Sequence, residues 1–193
     1  MREKRPSGCC IFAIDKINII IMEHKDTKKQ RAAQREKLCD FVSLCLVKMN
    51  LRMRTITLII IHCSATPEGK SLSFEACKRD HVENRHFRDI GYHYYITRDG
   101  HIHAGRPEEQ PGAHCKNHNS HSIGICYEGG LNEKGKKADT RTPEQKKTLR
   151  ELVGKLHQQF PKALIVGHHD LEPSKPCPCF DVIKEFAEWN PLP

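Results

Sequence analysis

The stretch Ile59-Ile60-Ile61-His62-Cys63-Ser64-Ala65-Thr66 decides how the chain folds. Its run of β-branched apolar residues reads as a buried strand over 55–61, and it carries one imidazole to the strand's end. Alternation places Leu58, Ile60 and His62 on one face and Ile59, Ile61 and Cys63 on the other. A buried ring without a partner costs free energy, so His62 needs one. Two readings stay open: a hydrogen-bonded core histidine, or a ligand to a metal ion shared with residues far down the chain.

Working outward, the pattern stays regular. Ser71 or Ser73 can cap a helix running to Phe87, with Phe74, Cys77 and Val82 inward. Residues 91–97 read as a strand, and Arg98-Asp99-Gly100 as a tight hairpin turn into 101–104. Residues 122–127 form a short apolar strand closed by Gly129-Gly130, and the polar loop 131–141 is expected to be exposed. Thr142-Pro143-Glu144-Gln145 is a helix start: a threonine cap, proline at the first helical position and a glutamine that completes a capping box. Leu149, Leu152, Val153, Leu156 and Phe160 then make one apolar stripe, read as core. A last buried strand over 163–166 ends at Gly167-His168-His169-Asp170, followed by a proline-rich loop and a short helix over 181–189. Strands interleaved with helices imply an α/β domain with a mixed central β-sheet flanked by helices.

Residues 1–52 differ from the rest. They hold 12 Lys+Arg against 6 Asp+Glu, whereas 53–193 hold 20 against 18. The formal charge of +8 therefore sits mostly in this extension, and no nucleic-acid surface is expected on the main domain, 53–193. Residues 17–22 could form a short strand, and Leu38, Phe41, Val42, Cys45, Leu46 and Met49 recur at helical spacing. The extension is read as a poorly ordered addition before a natural start at Met53, with a packed helix or a basic amphipathic arm as alternatives. Asp15 and Lys16 interrupt the first apolar run, so a secretory signal is not expected and synthesis in the cytoplasm is the default. No stretch reaches the roughly 18 apolar residues of a membrane span. Ten cysteines in 193 residues are too few and too unevenly placed for a disulfide scaffold, which points to reduced thiols. The chain is expected to be a monomer.

Two strands end in histidine, at His62 and at His168, and near the second lies Lys175-Pro176-Cys177-Pro178-Cys179. Neutral imidazole and thiolate are the ligands zinc prefers, and three protein ligands leave a fourth position for solvent. At most one of His168 and His169 should point inward. Cys177 and Cys179 could instead pair in a structural site, but one intervening residue is tighter than the usual spacing. A zinc deaminase needs H-x-E and P-C-x-x-C, and neither occurs here.

Ile60-Ile61-His62-Cys63-Ser64-Ala65-Thr66, Asp89-Ile90-Gly91-Tyr92-His93-Tyr94, Ile96-Thr97-Arg98-Asp99-Gly100, Gly112-Ala113-His114, Asn119-Ser120-His121-Ser122-Ile123-Gly124-Ile125-Cys126, Gly167-His168-His169-Asp170 and Lys175-Pro176-Cys177-Pro178-Cys179-Phe180-Asp181 stand in this order. Together they resemble the type 2 N-acetylmuramoyl-L-alanine amidases, a zinc family that includes phage lysozymes with amidase activity and the peptidoglycan recognition proteins. The resemblance covers roughly 55–188 and implies that family's fold, with the zinc site at one sheet edge. It implies His62, His168 and Cys177 as zinc ligands. It also implies Tyr92 and Lys175 as catalytic residues, and His93, His114 and Asn119 as lining of the substrate groove. The loop between His168 and Cys177 is about one residue longer than in the phage lysozymes, and Cys179 stands where serine or glycine occurs.

The implied reaction is hydrolysis of the amide joining N-acetylmuramic acid to L-alanine in peptidoglycan, in cell-wall lysis or remodelling. Water activated at zinc attacks the lactyl carbonyl, Lys175 stabilises the developing charge, and Tyr92 bonds the attacking water or helps pass its proton to the leaving amine. The alternative is a peptidoglycan-binding module without catalysis, the behaviour of relatives that lose the ligand cysteine. Peptidoglycan is the implied partner, and the implied place of action is the cell wall.

Overall fold

The computed structural model describes residues 54–190. Expectations for residues 1–52, the strand at 17–22 and the helix around 38–49 included, lie outside the described residues. In chain order the elements are β1 (Leu58–Cys63), β2 (Thr66–Pro67), α1 (Phe74–Arg79), β3 (Tyr94–Ile96), β4 (Ile102–Ala104), β5 (Ser122–Tyr127) and β6 (Gly130–Leu131). Then come α2 (Pro143–Gln159), β7 (Leu164–Gly167), α3 (His168–Leu171) and α4 (Val182–Glu185).

β1 lies between β5 and the edge strand β7 in a five-stranded sheet ordered β4-β3-β5-β1-β7. It runs parallel to β5 and to β7, with Ile61 opposite Ile125 and Gly167. β3 joins β5 in parallel, and only the edge pair β3–β4 is antiparallel. The mixed sheet expected from alternating strands and helices is therefore present. Because β1 and β7 are parallel neighbours, their C-terminal ends lie side by side, where α/β sheets place their ligands.

Strand alternation sorts the two faces. Ile59, Ile61 and Cys63 join Ile123, Ile125 and Ile165 in one core with Leu149, Leu152, Val153 and Leu156 of α2. Each fully buried isoleucine contributes on the order of 2 kcal/mol relative to exposure. The opposite face carries Tyr95 and Cys126 in a smaller cluster with Cys77 of α1 and Ile90. His62, in register with Cys126, belongs to this second face.

α2 starts as its sequence requires. The Thr142 side chain accepts from the Gln145 backbone at 3.1 Å, and the Gln145 side chain accepts from the Thr142 backbone at 3.1 Å. The same Gln145 is fully buried and donates to the carbonyls of Ile96 and Glu128, which ties the helix start to the sheet.

Four expectations change. The helix capped by Ser73 stops being α-helical at Arg79 and widens into a π turn over Asp80–Asn84, closed by Arg85 N–H to the Asp80 carbonyl at 3.1 Å. A π turn advances less per residue than an α turn, so His81 takes the inward position and Val82 faces solvent. The strand expected over 91–97 shortens to Tyr94–Ile96, because the Gly91 N–H is drawn to His81 Nδ1 at 2.9 Å. The end of loop 131–141 is buried, not exposed: Arg141 packs its guanidinium over the Phe180 ring at 3.3 Å and pairs with both Asp139 and Glu185. The last helix is shorter than 181–189, spanning Val182–Glu185 from an Asp181 cap.

Candidate metal centre

His62 lies at the C-terminal end of β1 and is 1% exposed. His168 opens α3 immediately after β7, and Cys177 lies in the loop that follows. One ligand atom from each of the three falls within 4.8 Å of the others. The rings of His62 and His168 stand 4.5 Å apart between centroids.

Burial holds the imidazoles in the form that binds metal. It pushes His62 well below the ordinary histidine range, and the neighbouring His114 and His168 rings push the same way. His168 is lowered as well, by burial first, against the opposing pull of Glu172. A neutral imidazole keeps a lone pair. Cys177 Sγ accepts a hydrogen bond from the Cys63 backbone N–H at 3.0 Å, which fixes the sulfur against the end of β1.

The surroundings of each ligand orient it. His168 Nε2 donates to Glu172 Oε2 at 3.2 Å, the carboxylate–histidine pairing common behind ligating histidines. The donation leaves Nδ1 of His168 free for a cation. His169 turns away, its backbone N–H and Nδ1 both bonded to the Cys177 carbonyl at 2.8 and 3.0 Å. It thereby holds the loop that carries the thiol. Cys179 Sγ faces Cys63 Sγ at 3.9 Å, away from the histidines.

Two imidazoles and one thiol, with no carboxylate among the three, are a nitrogen–sulfur donor set. Such a set suits zinc and excludes the oxygen-seeking calcium and magnesium.

The family profile of N-acetylmuramoyl-L-alanine amidases (Amidase_2) matches residues 52–180. The endolysins of Klebsiella phage KP32 and Escherichia phage T7 are each 40% identical to the chain over 134 residues, 69% of this chain and 87% of the relative. The amidase LysC of Clostridium intestinale superposes with a TM-score of 0.56 at 28% identity, over 69% of this chain and 83% of that one.

The chain belongs to the N-acetylmuramoyl-L-alanine amidase family. It is a peptidoglycan amidase with that family's fold, a mixed sheet with its site at the strands' C-terminal ends.

In the amidase, the other residues singled out in the sequence separate into two groups. Tyr92 stands against His62 with ring centroids 5.3 Å apart. Burial first, then the thiols of Cys126 and Cys177, hold its hydroxyl far above the ordinary tyrosine range, so it keeps its proton. His114 Nδ1 touches His62 Nε2 at 3.0 Å. Lys175 is exposed on the loop between His168 and Cys177, close enough that its charge lowers His168. It borders an open cleft of about 700 Å³ together with Lys137, His169, Cys179 and Asp181.

His93 and Asn119 lie behind the site. His93 Nδ1 accepts from the Gly124 N–H at 3.0 Å, so Nε2 carries the proton and donates to the Gln110 carbonyl at 3.0 Å. Arg54 Nη2, 3.1 Å from the same nitrogen, is a second donor in proximity and not a hydrogen-bond partner. The Asn119 side-chain oxygen accepts from the backbone N–H groups of His114 and Cys115 at 2.9 and 3.0 Å. The sequence reading missed Glu172, although its spacing of four residues from His168 on one short helix was the available signal.

Proposed function

We propose that the amidase holds zinc through His62, His168 and Cys177 and hydrolyses the bond between N-acetylmuramic acid and L-alanine, acting on the cell wall in lysis. The observation that carries the reading is the convergence of three ligand atoms within 4.8 Å at the C-terminal end of β1. Zinc held there supplies Lewis acidity, polarising an amide carbonyl and making water a stronger acid.

The chain's own residues do the rest. The Tyr92 hydroxyl, kept protonated by its burial, donates a hydrogen bond beside His62, either to the attacking water or to the oxygen that gains charge. Lys175 brings a cation on the same loop as Cys177, and a positive group facing a developing oxyanion lowers the barrier by several kcal/mol. Glu172 and His169 keep the His168 ring and the Cys177 loop in place. His93, His114 and Asn119 serve from behind as the frame of the site.

The test is digestion of purified peptidoglycan with and without a chelator. New L-alanine amino termini, no new sugar reducing ends and restoration by added zinc are the expected results. Binding of peptidoglycan without cleavage would move the chain to the non-catalytic reading, and undiminished activity in chelator would remove the metal from the mechanism. Tyr92→Phe and Lys175→Ala with zinc retained and near-wild-type turnover would remove those two side chains.

A further inference from the structure

We propose that Ser122 and His114 form a hydrogen-bond relay that fixes which nitrogen of His62 faces the metal: Nε2 donates to the relay and Nδ1 is left as the ligand. The proposal rests on the zinc reading above and gives His114 the role of a positioning residue.

The direction of each bond follows from the one before it. Ser122 Oγ lies 2.7 Å from the His118 carbonyl, and a carbonyl has no proton to give, so the hydroxyl donates there. Its only proton being committed, Ser122 Oγ can only accept from His114 Nε2 at 3.4 Å. The groups around the His114 ring are His62, Tyr92, His93, Ser122, Gly112 and Gly124, none of them anionic. With no counter-ion the ring carries one proton, and that proton is on Nε2. His114 Nδ1 is therefore bare, and its 3.0 Å contact with His62 Nε2 requires His62 to donate. The remaining lone pair of His62 is on Nδ1.

The relay is built, not incidental. A Cβ at Gly124 would sit 2.5 Å from His114 Cδ2, and one at Gly112 would sit 2.4 Å from the same atom. These two glycines form a slot that fits the ring in one plane. Asn119 fixes the backbone beneath it through the two N–H groups of His114 and Cys115. Independently, Glu172 takes Nε2 of His168. Both histidines thus commit Nε2 to a hydrogen bond and keep the lone pair of Nδ1. A ligand held in the wrong tautomer would present a proton to the cation.

The decisive experiment uses the full chain with nitrogen-15-labelled histidine. In the metal-free protein, ring correlations are expected to show His62 and His114 both protonated on Nε2. After loading with cadmium-113, the metal–nitrogen coupling is expected on Nδ1 of His62. In chelator competition His114→Leu is expected to weaken zinc about 10–100-fold. His114→Asn, which keeps an acceptor oxygen near the position of Nδ1, is expected to retain most of the affinity. Coupling through Nε2 of His62, a folded His114→Leu with wild-type affinity, or His114→Asn as weak as His114→Leu would each overturn the relay. If His114→Leu does not unfold cooperatively, the wild-type ring signals decide alone. Wild-type protein that binds neither metal refutes the zinc reading, and the metal-free ring signals still test the relay.

Discussion

The two sides of the site are built in opposite ways. His62 sits near the end of the interior strand β1, buried from Ile59 onward, and a neutral chain of His114 and Ser122 backs it. His168 and Cys177 sit on a short helix and a proline-rich loop, where a half-exposed carboxylate, Glu172, and a backbone carbonyl do the orienting. The difference follows from dielectric surroundings. A carboxylate behind His62 would be a buried charge with no cation of its own, whereas near solvent the same charge is inexpensive. The strand side is therefore rigid and uncharged, and the loop side supplies the compensating charge and Lys175. The loop side depends on distant anchors, chiefly Arg141, which pairs with Asp139 and Glu185 and lies over Phe180 beside Cys179.

The largest expected effect tests both sides together. His62→Ala and His168→Ala should each lower hydrolysis on the order of 10³-fold. Only His62→Ala should also destabilise the fold, by about 2–3 kcal/mol, since only His62 leaves a cavity in a packed interior. Equal shifts in urea midpoint for the two variants would end the distinction between a rigid and a compliant side.

Next in size is Arg141→Ala, which strands two partly buried carboxylates and removes the cation over Phe180. A loss of about 3 kcal/mol in urea unfolding is expected. The remaining folded protein should bind zinc more weakly through Cys177. Unchanged stability would show that the loop needs no such anchor.

Acid should weaken the strand side first. Burial holds His93 down at about 4, below its ordinary value of 6.5. Its contribution is complete above pH 6.5 and is lost as pH falls, because the unfolded chain takes up the proton that the folded chain refuses. The expected loss is about 2 kcal/mol by pH 5. The lowered His62, His81 and His114 act in the same direction. Urea midpoints of the metal-free protein at pH 7.5 and pH 5 measure it, and a flat profile would contradict it.

The smallest effect belongs to the carboxylate. Glu172→Gln keeps an acceptor for His168 Nε2 but removes the charge, and a roughly tenfold weaker zinc affinity is expected in chelator competition. A larger loss than that of His114→Leu would mean that the loop side, not the strand side, sets the geometry.

How much of this was legible differs by region. The strand ending in His62 declared itself through three successive isoleucines, and the start of α2 through Thr142, Pro143 and Gln145, because local sterics and capping dictate both. The three ligand-type residues were found from their chemistry and from the resemblance that ordered them. Val82 and the strand at 91–97 misled, because Gly91 bonding to His81 is a contact between segments ten residues apart. The roles of His93, His114 and Asn119 were similarly hidden, as a histidine's function lies in what each ring nitrogen touches.

What the sequence alone determined is which donor-type side chains are candidates and which elements carry them, for those follow from side-chain chemistry, near-neighbour periodicity and the resemblance that ordered the motifs. Only the tertiary structure decided how they meet: parallel pairing of β1 with β7 sets His62 beside His168, and the neighbours of each ring assign its protons. The pairing of Leu58 with Leu164 and the contact of His62 with His114, 52 positions apart, join segments remote in sequence, and no local rule of the chain specifies which hydrogen bond each ring will make.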